Sequence, residues 1–278
     1  MGKREDTKDT AYWIFNDKKD LPTMIMIHGF RGTHHGLSLI AENIKSHRVI
    51  VPDLPAFGET KPLEKEHNLD NYVEWLHEFI KDLNLKEPPV LAGHSFGSIV
   101  VSWYASKYPD TISKLILLCP ISAPSLEGPR AIMSYLAAIY YKLTQKLPEK
   151  SAAKLLSSPL VIRIISSTMT KSKDKKIRRY VVSQHMSHFS EYYSRQTVGE
   201  SFKVSIERNV REVADKIMND TLVIAGAKDD IVSVKDQKRI IEIIPNAKLD
   251  IIPNVGHLIH YETPKETAEL IESFLISN

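Results

Sequence analysis

The chain has 278 residues, of which 26% are charged and 42% hydrophobic, with a net charge of +3. These values suit a globular protein with a large core and exclude a disordered or fibrous chain. No apolar run approaches the eighteen or so residues of a membrane span, and Lys3-Arg4-Glu5-Asp6 is too charged to read as a signal peptide. A single cysteine, Cys119, excludes an intramolecular disulfide and points to a reducing, cytoplasmic compartment. The charge is uneven. Between residues 121 and 215, sixteen Lys and Arg stand against eight Asp and Glu. A basic segment of this kind is a solvated helical surface or a face for an anionic substrate or lipid surface.

In chain order, Tyr12-Trp13-Ile14-Phe15 reads as a short strand and Thr23-Met24-Ile25-Met26-Ile27 as a strand covered on both faces. The latter runs into the loop His28-Gly29-Phe30-Arg31-Gly32. A helical stretch from Leu37 to Lys45 precedes the strand Arg48–Val51, which Pro52-Asp53-Leu54-Pro55-Ala56-Phe57-Gly58 breaks. Asp70 is expected to cap a helix whose apolar positions Tyr72, Val73, Leu76, Phe79, Ile80 and Leu83 follow helical spacing. Next come the strand Pro89–Ala92, the turn Gly93-His94-Ser95-Phe96-Gly97, and a helix reaching Tyr108. Lys114–Cys119 is another buried strand.

From Ile121 to about Asp215 the alternation stops. This segment reads as helical, with Leu160–Ile165 ambiguous between strand and helix. Ile132, Leu136, Ile139, Tyr140, Leu143 and Leu147 form a stripe expected to pack inward. Lys142, Lys146, Lys150 and Lys154 recur every fourth residue, and Pro148 is expected to break the helix between them. Lys171–Lys176 reads as an exposed loop or helix start. Alternation resumes with Thr221–Ala225, a helix over Val234–Ile243, the strand Lys248–Ile252, and a helix over Pro264–Leu275. Strand and helix in alternation imply an α/β fold with a mainly parallel sheet and helices on both faces. The expected organisation is a core of residues 1–120 and 216–278 with a helical cap of residues 121–215 inserted.

Gly93-His94-Ser95-Phe96-Gly97 fits the pattern G-x-S-x-G, which holds a serine on a strained turn between strand and helix. A serine hydroxyl needs a base within reach and an acid to orient that base. Asp229, after one late strand, and His257, after the next, supply them in the order this type of sheet requires. Asp230 is an alternative acid, and the loop after Cys119 holds no carboxylate before Glu127. Nothing supports a metal or a nucleotide cofactor: His34-His35 are adjacent, His185 and His188 lack further placed ligands, and Gly226 stands alone. No aromatic platform for nucleic acid is present.

Taken together, His28-Gly29-Phe30, Asp53-x-Pro55-x-x-Gly58, Gly93-x-Ser95-x-Gly97, Gly226-x-x-Asp229 and Gly256-His257 make the chain resemble the α/β-hydrolase fold family over nearly its whole length. Ala56 and Ser98 stand where many relatives carry glycine. The resemblance implies Ser95 as nucleophile, His257 as base and then acid, and Asp229 as the acid that orients it. It also implies the N–H groups of Phe30 and Phe96 as an oxyanion hole, and the insertion as a lid. Gly29, His94, Phe189 and Tyr192 are candidates to line the substrate site, with Ser187, His188 and Tyr193 nearby. Asp53 is expected to brace a loop, His28 and His94 to orient loops, and His260 to lie at the surface. The implied activity is cofactor-free hydrolysis of a small or medium-chain carboxylic ester. Carbon–carbon hydrolysis, thioesterase or acyltransferase chemistry, and a non-catalytic binding role are the alternatives. The expected partner is a small acyl substrate, with an anionic lipid surface as the alternative for the basic cap, and neither nucleic acid nor an integral membrane segment is expected.

Overall fold

The computed structural model describes residues 2–124 and 131–276; Glu127 lies outside them. Eight strands form one sheet in the order β1-β2-β4-β3-β5-β6-β7-β8. They are β1 (Lys3–Thr7), β2 (Thr10–Phe15), β3 (Thr23–Ile27), β4 (Arg48–Pro52), β5 (Val90–His94), β6 (Leu115–Leu118), β7 (Thr221–Gly226) and β8 (Ala247–Ile252). The pairs β1–β2 and β2–β4 are antiparallel, and every pair from β4 to β8 is parallel. The interior strands β5, β6 and β7 are buried at every position, because helices cover both faces and leave no side for water.

The covering helices are α1 (His34–Ala41), α2 (Leu69–Asp82) and α3 (Phe96–Lys107), and further on α9 (Val234–Ile243), α10 (Ile259–Glu262) and α11 (Pro264–Ile276). Between β6 and β7 lie α4 (Ala131–Lys146), α5 (Glu149–Leu156), α6 (Pro159–Met169), α7 (Lys175–His188) and α8 (Arg195–Glu207). One apolar layer joins Ile99, Tyr104 and Val223 to Tyr141, Leu156 and Phe202, so the inserted helices share a core with the sheet's helices.

Several expectations need correction. Strand β1 was not expected, because Lys-Arg-Glu-Asp-Thr carries no apolar signal; it exists as an edge ribbon on β2, where charged side chains also discourage pairing with another chain. The cap of α2 is Asn68, whose side chain accepts from the Asn71 N–H at 3.0 Å, and Asp70 sits in the first turn. Leu160–Ile165 is helical, within α6, started by Pro159 in its first turn. Pro148 does break the helix, between α4 and α5.

Most of the stripe on α4 faces outward, while Leu147 is half-buried and Tyr140 packs on the core and donates from its hydroxyl to the Leu155 carbonyl at 3.0 Å. Ile132 is 69% exposed, Ile139 64% and Leu136 55%. Its inward side is instead Tyr141 and Thr144, with Ala137 and Ala138 partly buried. On that side the Tyr141 ring packs on the ring of Phe202 of α8, centroids 4.1 Å apart.

Candidate active site

The loops after β3, β5, β7 and β8 meet at the carboxyl edge of the sheet, where open α/β sheets place their ligands. At the end of β5 the chain turns on Ser95, with φ 53° and ψ −117°, and enters α3 at once. Such a backbone is costly for a residue with a side chain and persists where its surroundings hold it. Here the neighbours must be glycine. A Cβ on Gly97 would lie 2.3 Å from the Ile27 carbonyl oxygen, and one on Gly93 would lie 2.5 Å from that of Gly97. Ser98, in the next position, is seated by its hydroxyl donating to the Ser95 carbonyl at 2.5 Å.

Ser95 Oγ lies 2.7 Å from His257 Nε2, and His257 Nδ1 lies 2.9 Å from Asp229 Oδ2. The other Asp229 oxygen accepts the N–H groups of Ile231, at 2.7 Å, and Val232, at 3.2 Å. Burial would push the Asp229 carboxyl up, but the adjacent His257 and these two N–H donors hold it below the usual carboxylate range. It is therefore an anion at neutral pH. Asp230, the alternative, is 60% exposed at its side chain and pairs with Lys171.

The turn from Gly29 to Gly32 is closed by Gly32 N–H donating to the Gly29 carbonyl at 2.9 Å. His28 Nδ1 donates to the same carbonyl at 2.9 Å, while its Nε2 accepts the Leu54 N–H, also at 2.9 Å. One peptide unit carries both that carbonyl and the Phe30 N–H, so two donors on the oxygen fix where the N–H points. The Phe96 N–H is among the first of α3 and has no carbonyl below it. Neither N–H has a hydrogen-bond partner among the described residues. Gly29 is pressed against Ser95, since a Cβ there would lie 3.3 Å from that of Ser95.

Asp53 is fully buried and braces loops, accepting the His34 N–H at 2.6 Å and the Glu59 N–H at 3.0 Å. His94 donates from Nε2 to the His257 carbonyl at 3.0 Å. Burial, reinforced by His257, drops its pKa to about 3, so it is neutral. His260 is not at the surface: it is 6% exposed, its ring centre 4.2 Å from that of His94. The short helix α10 turns it inward under α1, where burial depresses its pKa well below the ordinary value.

A cavity of about 360 Å³ opens over Ser95 and His257. Gly29, His94 and Phe189 are on its wall, as are Phe30, Phe96 and His188. Tyr192 is not among the lining residues; it bridges to Phe57, and its ring faces Arg31 at 5.7 Å. Ser187 does not line the cavity either, and Tyr193 is 70% exposed. The lining residues that sequence reasoning missed include Arg31, Ile164 and Leu258; a charged loop residue, an apolar residue in the middle of α6 and another at the start of α10 carry no local signal of a cavity.

Among the described residues, the only grouping with metal-ligand atoms in reach of one another is Cys119, Asp229 and His257. Asp229 and His257 are bonded to each other, and burial holds the Cys119 thiol well above its ordinary pKa. Asp229 and His257 are already engaged in the line of hydrogen bonds to Ser95, which accounts for their closeness.

A buried carboxylate, an imidazole and a serine on a strained turn, in that chain of bonds, define a serine-hydrolase type of site. The profile of the alpha/beta hydrolase fold matches residues 22–264, and the chain belongs to that family. It is 26% identical over 267 residues to the monoacylglycerol lipase ABHD6 of Homo sapiens, covering 92% of this chain and 76% of that one. It is also 26% identical over 279 residues to lipase 3 of Moraxella sp., covering 96% and 81%. The esterase EaEST from Exiguobacterium antarcticum superposes with a TM-score of 0.78 at 17% identity, over 100% of both chains, a likeness of fold.

Proposed function

We propose that this chain hydrolyses carboxylic esters of small or medium-chain acyl groups through an acyl-enzyme, without a cofactor. The observation that carries the reading is the unbroken line from Asp229 through His257 to Ser95, ending at the floor of a cavity. Relatives named as lipases and a monoacylglycerol lipase support the same class of substrate.

In this mechanism His257 Nε2 takes the Ser95 proton as Oγ attacks the ester carbonyl. The resulting oxyanion is held by the N–H groups of Phe30 and Phe96, each such donor being worth ~10²–10³ in rate. Asp229 keeps the proton on Nδ1 and stabilises the imidazolium. His257 then gives its proton to the leaving alkoxide, and the alcohol departs. Water attacks the acyl-enzyme with His257 again as base, releasing the acid and restoring Ser95.

Residues 121–215 act as a cap in this reading, between the two parts of the core. Gly29, His94 and Phe189 shape the acyl site, while Tyr192 helps seat the cap. Ala137 and Ile164 reach the cavity wall from α4 and α6, and beside them Ile132, Tyr135, Leu136, Ile139, Leu143 and Leu160 are exposed. Helical spacing puts Lys142 and Lys146 in the same outward row of α4. An exposed apolar row flanked by cations on a helix that also lines the cavity suits an anionic lipid surface. No described helix is long and apolar enough to cross a membrane, so the contact proposed is peripheral. A reduced, buried Cys119 fits the cytoplasmic side.

The test is hydrolysis of p-nitrophenyl esters from acetate to palmitate and of monoacylglycerols, comparing wild type with Ser95→Ala. Turnover that peaks at one chain length and disappears in the variant is expected. No turnover on any ester would overturn the reading and favour carbon–carbon hydrolysis or binding alone.

A further inference from the structure

Arg31 is 2% exposed, and no Asp or Glu pairs with it among the described residues. Its guanidinium is met by carbonyls instead. Nε and one terminal nitrogen donate to the Phe189 carbonyl at 3.1 and 2.6 Å, and the same terminal nitrogen donates to the Leu156 carbonyl at 2.8 Å. The other terminal nitrogen donates to the Tyr141 hydroxyl at 3.3 Å.

The places of those acceptors matter. Leu156 is the last residue of α5, and Phe189 is the cap that ends α7. Helix ends of this kind leave carbonyls unpaired and carry the negative pole of the helix dipole. Tyr141 comes from α4. One buried cation thus joins three of the inserted helices, and it also lies over the Phe189 ring at 5.0 Å.

The other end of Arg31 is the turn that carries the Phe30 N–H. Gly29 and Gly32 close that turn, so Phe30 and Arg31 are its two central residues. Arg31 has φ 55°, a left-handed conformation usually left to glycine or asparagine at the second central position. An arginine stands there although flanking glycines show that the loop admits them. The local backbone strain persists because the side chain is held from above.

We propose that Arg31 is a positioning residue that couples the seating of the helical insertion to the geometry of the oxyanion turn, an inference that rests on the ester-hydrolase reading. With the insertion seated, the carbonyls of Leu156 and Phe189 hold the guanidinium and keep the turn in the form that aims the Phe30 N–H at the oxyanion. When the insertion lifts, the cation loses its acceptors and must follow water. The turn then relaxes, and the site is competent only when closed over substrate. Arg31 touches no reacting atom in this scheme.

The experiment compares wild type, Arg31→Lys and Arg31→Met on p-nitrophenyl butyrate, with thermal melting recorded for each. A lysine keeps the charge but cannot span both carbonyls; a methionine keeps bulk and removes every donor. We expect kcat to fall about 10²-fold in Arg31→Met, the cost of misplacing one oxyanion donor or shifting the site by ~1 Å. Arg31→Lys should lie between, near tenfold, and KM should move less than about threefold in both, because the lost interaction belongs to the transition state. Phosphonylation of Ser95 by a fluorophosphonate should slow in parallel. A kcat within twofold of wild type in Arg31→Lys and Arg31→Met, a loss confined to KM, or a lower melting temperature with kcat unchanged would each overturn the proposal. If Arg31→Met does not fold, Arg31→Lys alone decides by the same criteria. Wild type that hydrolyses no ester yet labels at Ser95 would instead sink the ester reading, and the labelling rates would still judge Arg31.

Discussion

Replacing Asp229 by asparagine isolates the electrostatic part of the site. Asp229 is 2% exposed, and an asparagine there has nearly the same shape. Its carbonyl oxygen would keep the N–H groups of Ile231 and Val232, which now bond Oδ1 at 2.7 and 3.2 Å. Its NH₂ would then face His257 Nδ1, 2.9 Å from the present oxygen. Nδ1 must become the acceptor, the ring proton moves to Nε2, and Nε2 can no longer take the proton of Ser95 Oγ. The imidazolium also loses its counter-charge. In triads of this kind the same exchange lowers kcat ~10⁴-fold, about 5.4 kcal/mol at 1.36 kcal/mol per tenfold. The assay is p-nitrophenyl butyrate hydrolysis at neutral pH, with Asp230→Asn as comparison. Asp230 loses only an ion pair at a largely exposed position, worth at most about 1 kcal/mol, or roughly fivefold. A kcat within tenfold of wild type for Asp229→Asn, with collapse in Asp230→Asn, would refute the reasoning and exchange the two roles.

Gly97→Ala forces a methyl to 2.3 Å from the Ile27 carbonyl oxygen; overpacking of this kind costs about 1–3 kcal/mol, so differential scanning calorimetry should show a melting temperature lower by several degrees, and an unchanged one would contradict the close approach. Burial, with help from His257 for His94 and Arg31 for His185, lowers the pKa of His94 to about 3 and that of His185 to about 4. Each is depressed below the ordinary 6.5, so the unfolded chain binds protons first: stability is complete above pH 6.5 and falls as pH drops toward 4 and 3. The slope is up to about 1.4 kcal/mol per pH unit for each histidine; urea unfolding from pH 7 to 5 should show it, and His185→Gln should flatten it. A profile flat over that range would contradict the buried neutral state. Ser95→Ala protein should co-sediment with vesicles rich in phosphatidylserine at low salt and lose binding in 0.5 M salt. Leu136→Asp with Ile139→Asp should abolish binding while leaving hydrolysis of soluble p-nitrophenyl butyrate within about twofold, and equal binding to neutral vesicles would contradict the charge argument.

The sheet was legible because its interior parallel strands are buried on both faces and so read as nearly continuous apolar runs, as Thr23–Ile27 does. The ordered set of motifs was legible because tight turns there tolerate only certain residues. Gly97 is required by a carbonyl 2.3 Å away, and that requirement shows as a letter in the sequence. What escaped is what depends on distant partners. β1 is charged at four of its five positions and exists only because β2 offers it an edge. The stripe on α4 has the spacing of a buried face, yet the side that meets α8 is the one carrying Tyr141, whose ring packs on Phe202. His260 looked like a surface residue because nothing local records the packing of α10 under α1. Nothing beside Arg31 in the sequence marks it as buried, because the two helix ends that meet it come from residues 156 and 189. Asp229 and Asp230 differ by one position, and it is the turn's N–H groups that choose between them.

The central claim is that Ser95 is an activated nucleophile, and the most direct measurement is mass spectrometry of the protein after reaction with a fluorophosphonate. One phosphonyl adduct on the peptide containing Ser95, absent in Ser95→Ala and formed far more slowly in Asp229→Asn, is the predicted result. An adduct on another residue, or no adduct on folded wild type, would contradict the account.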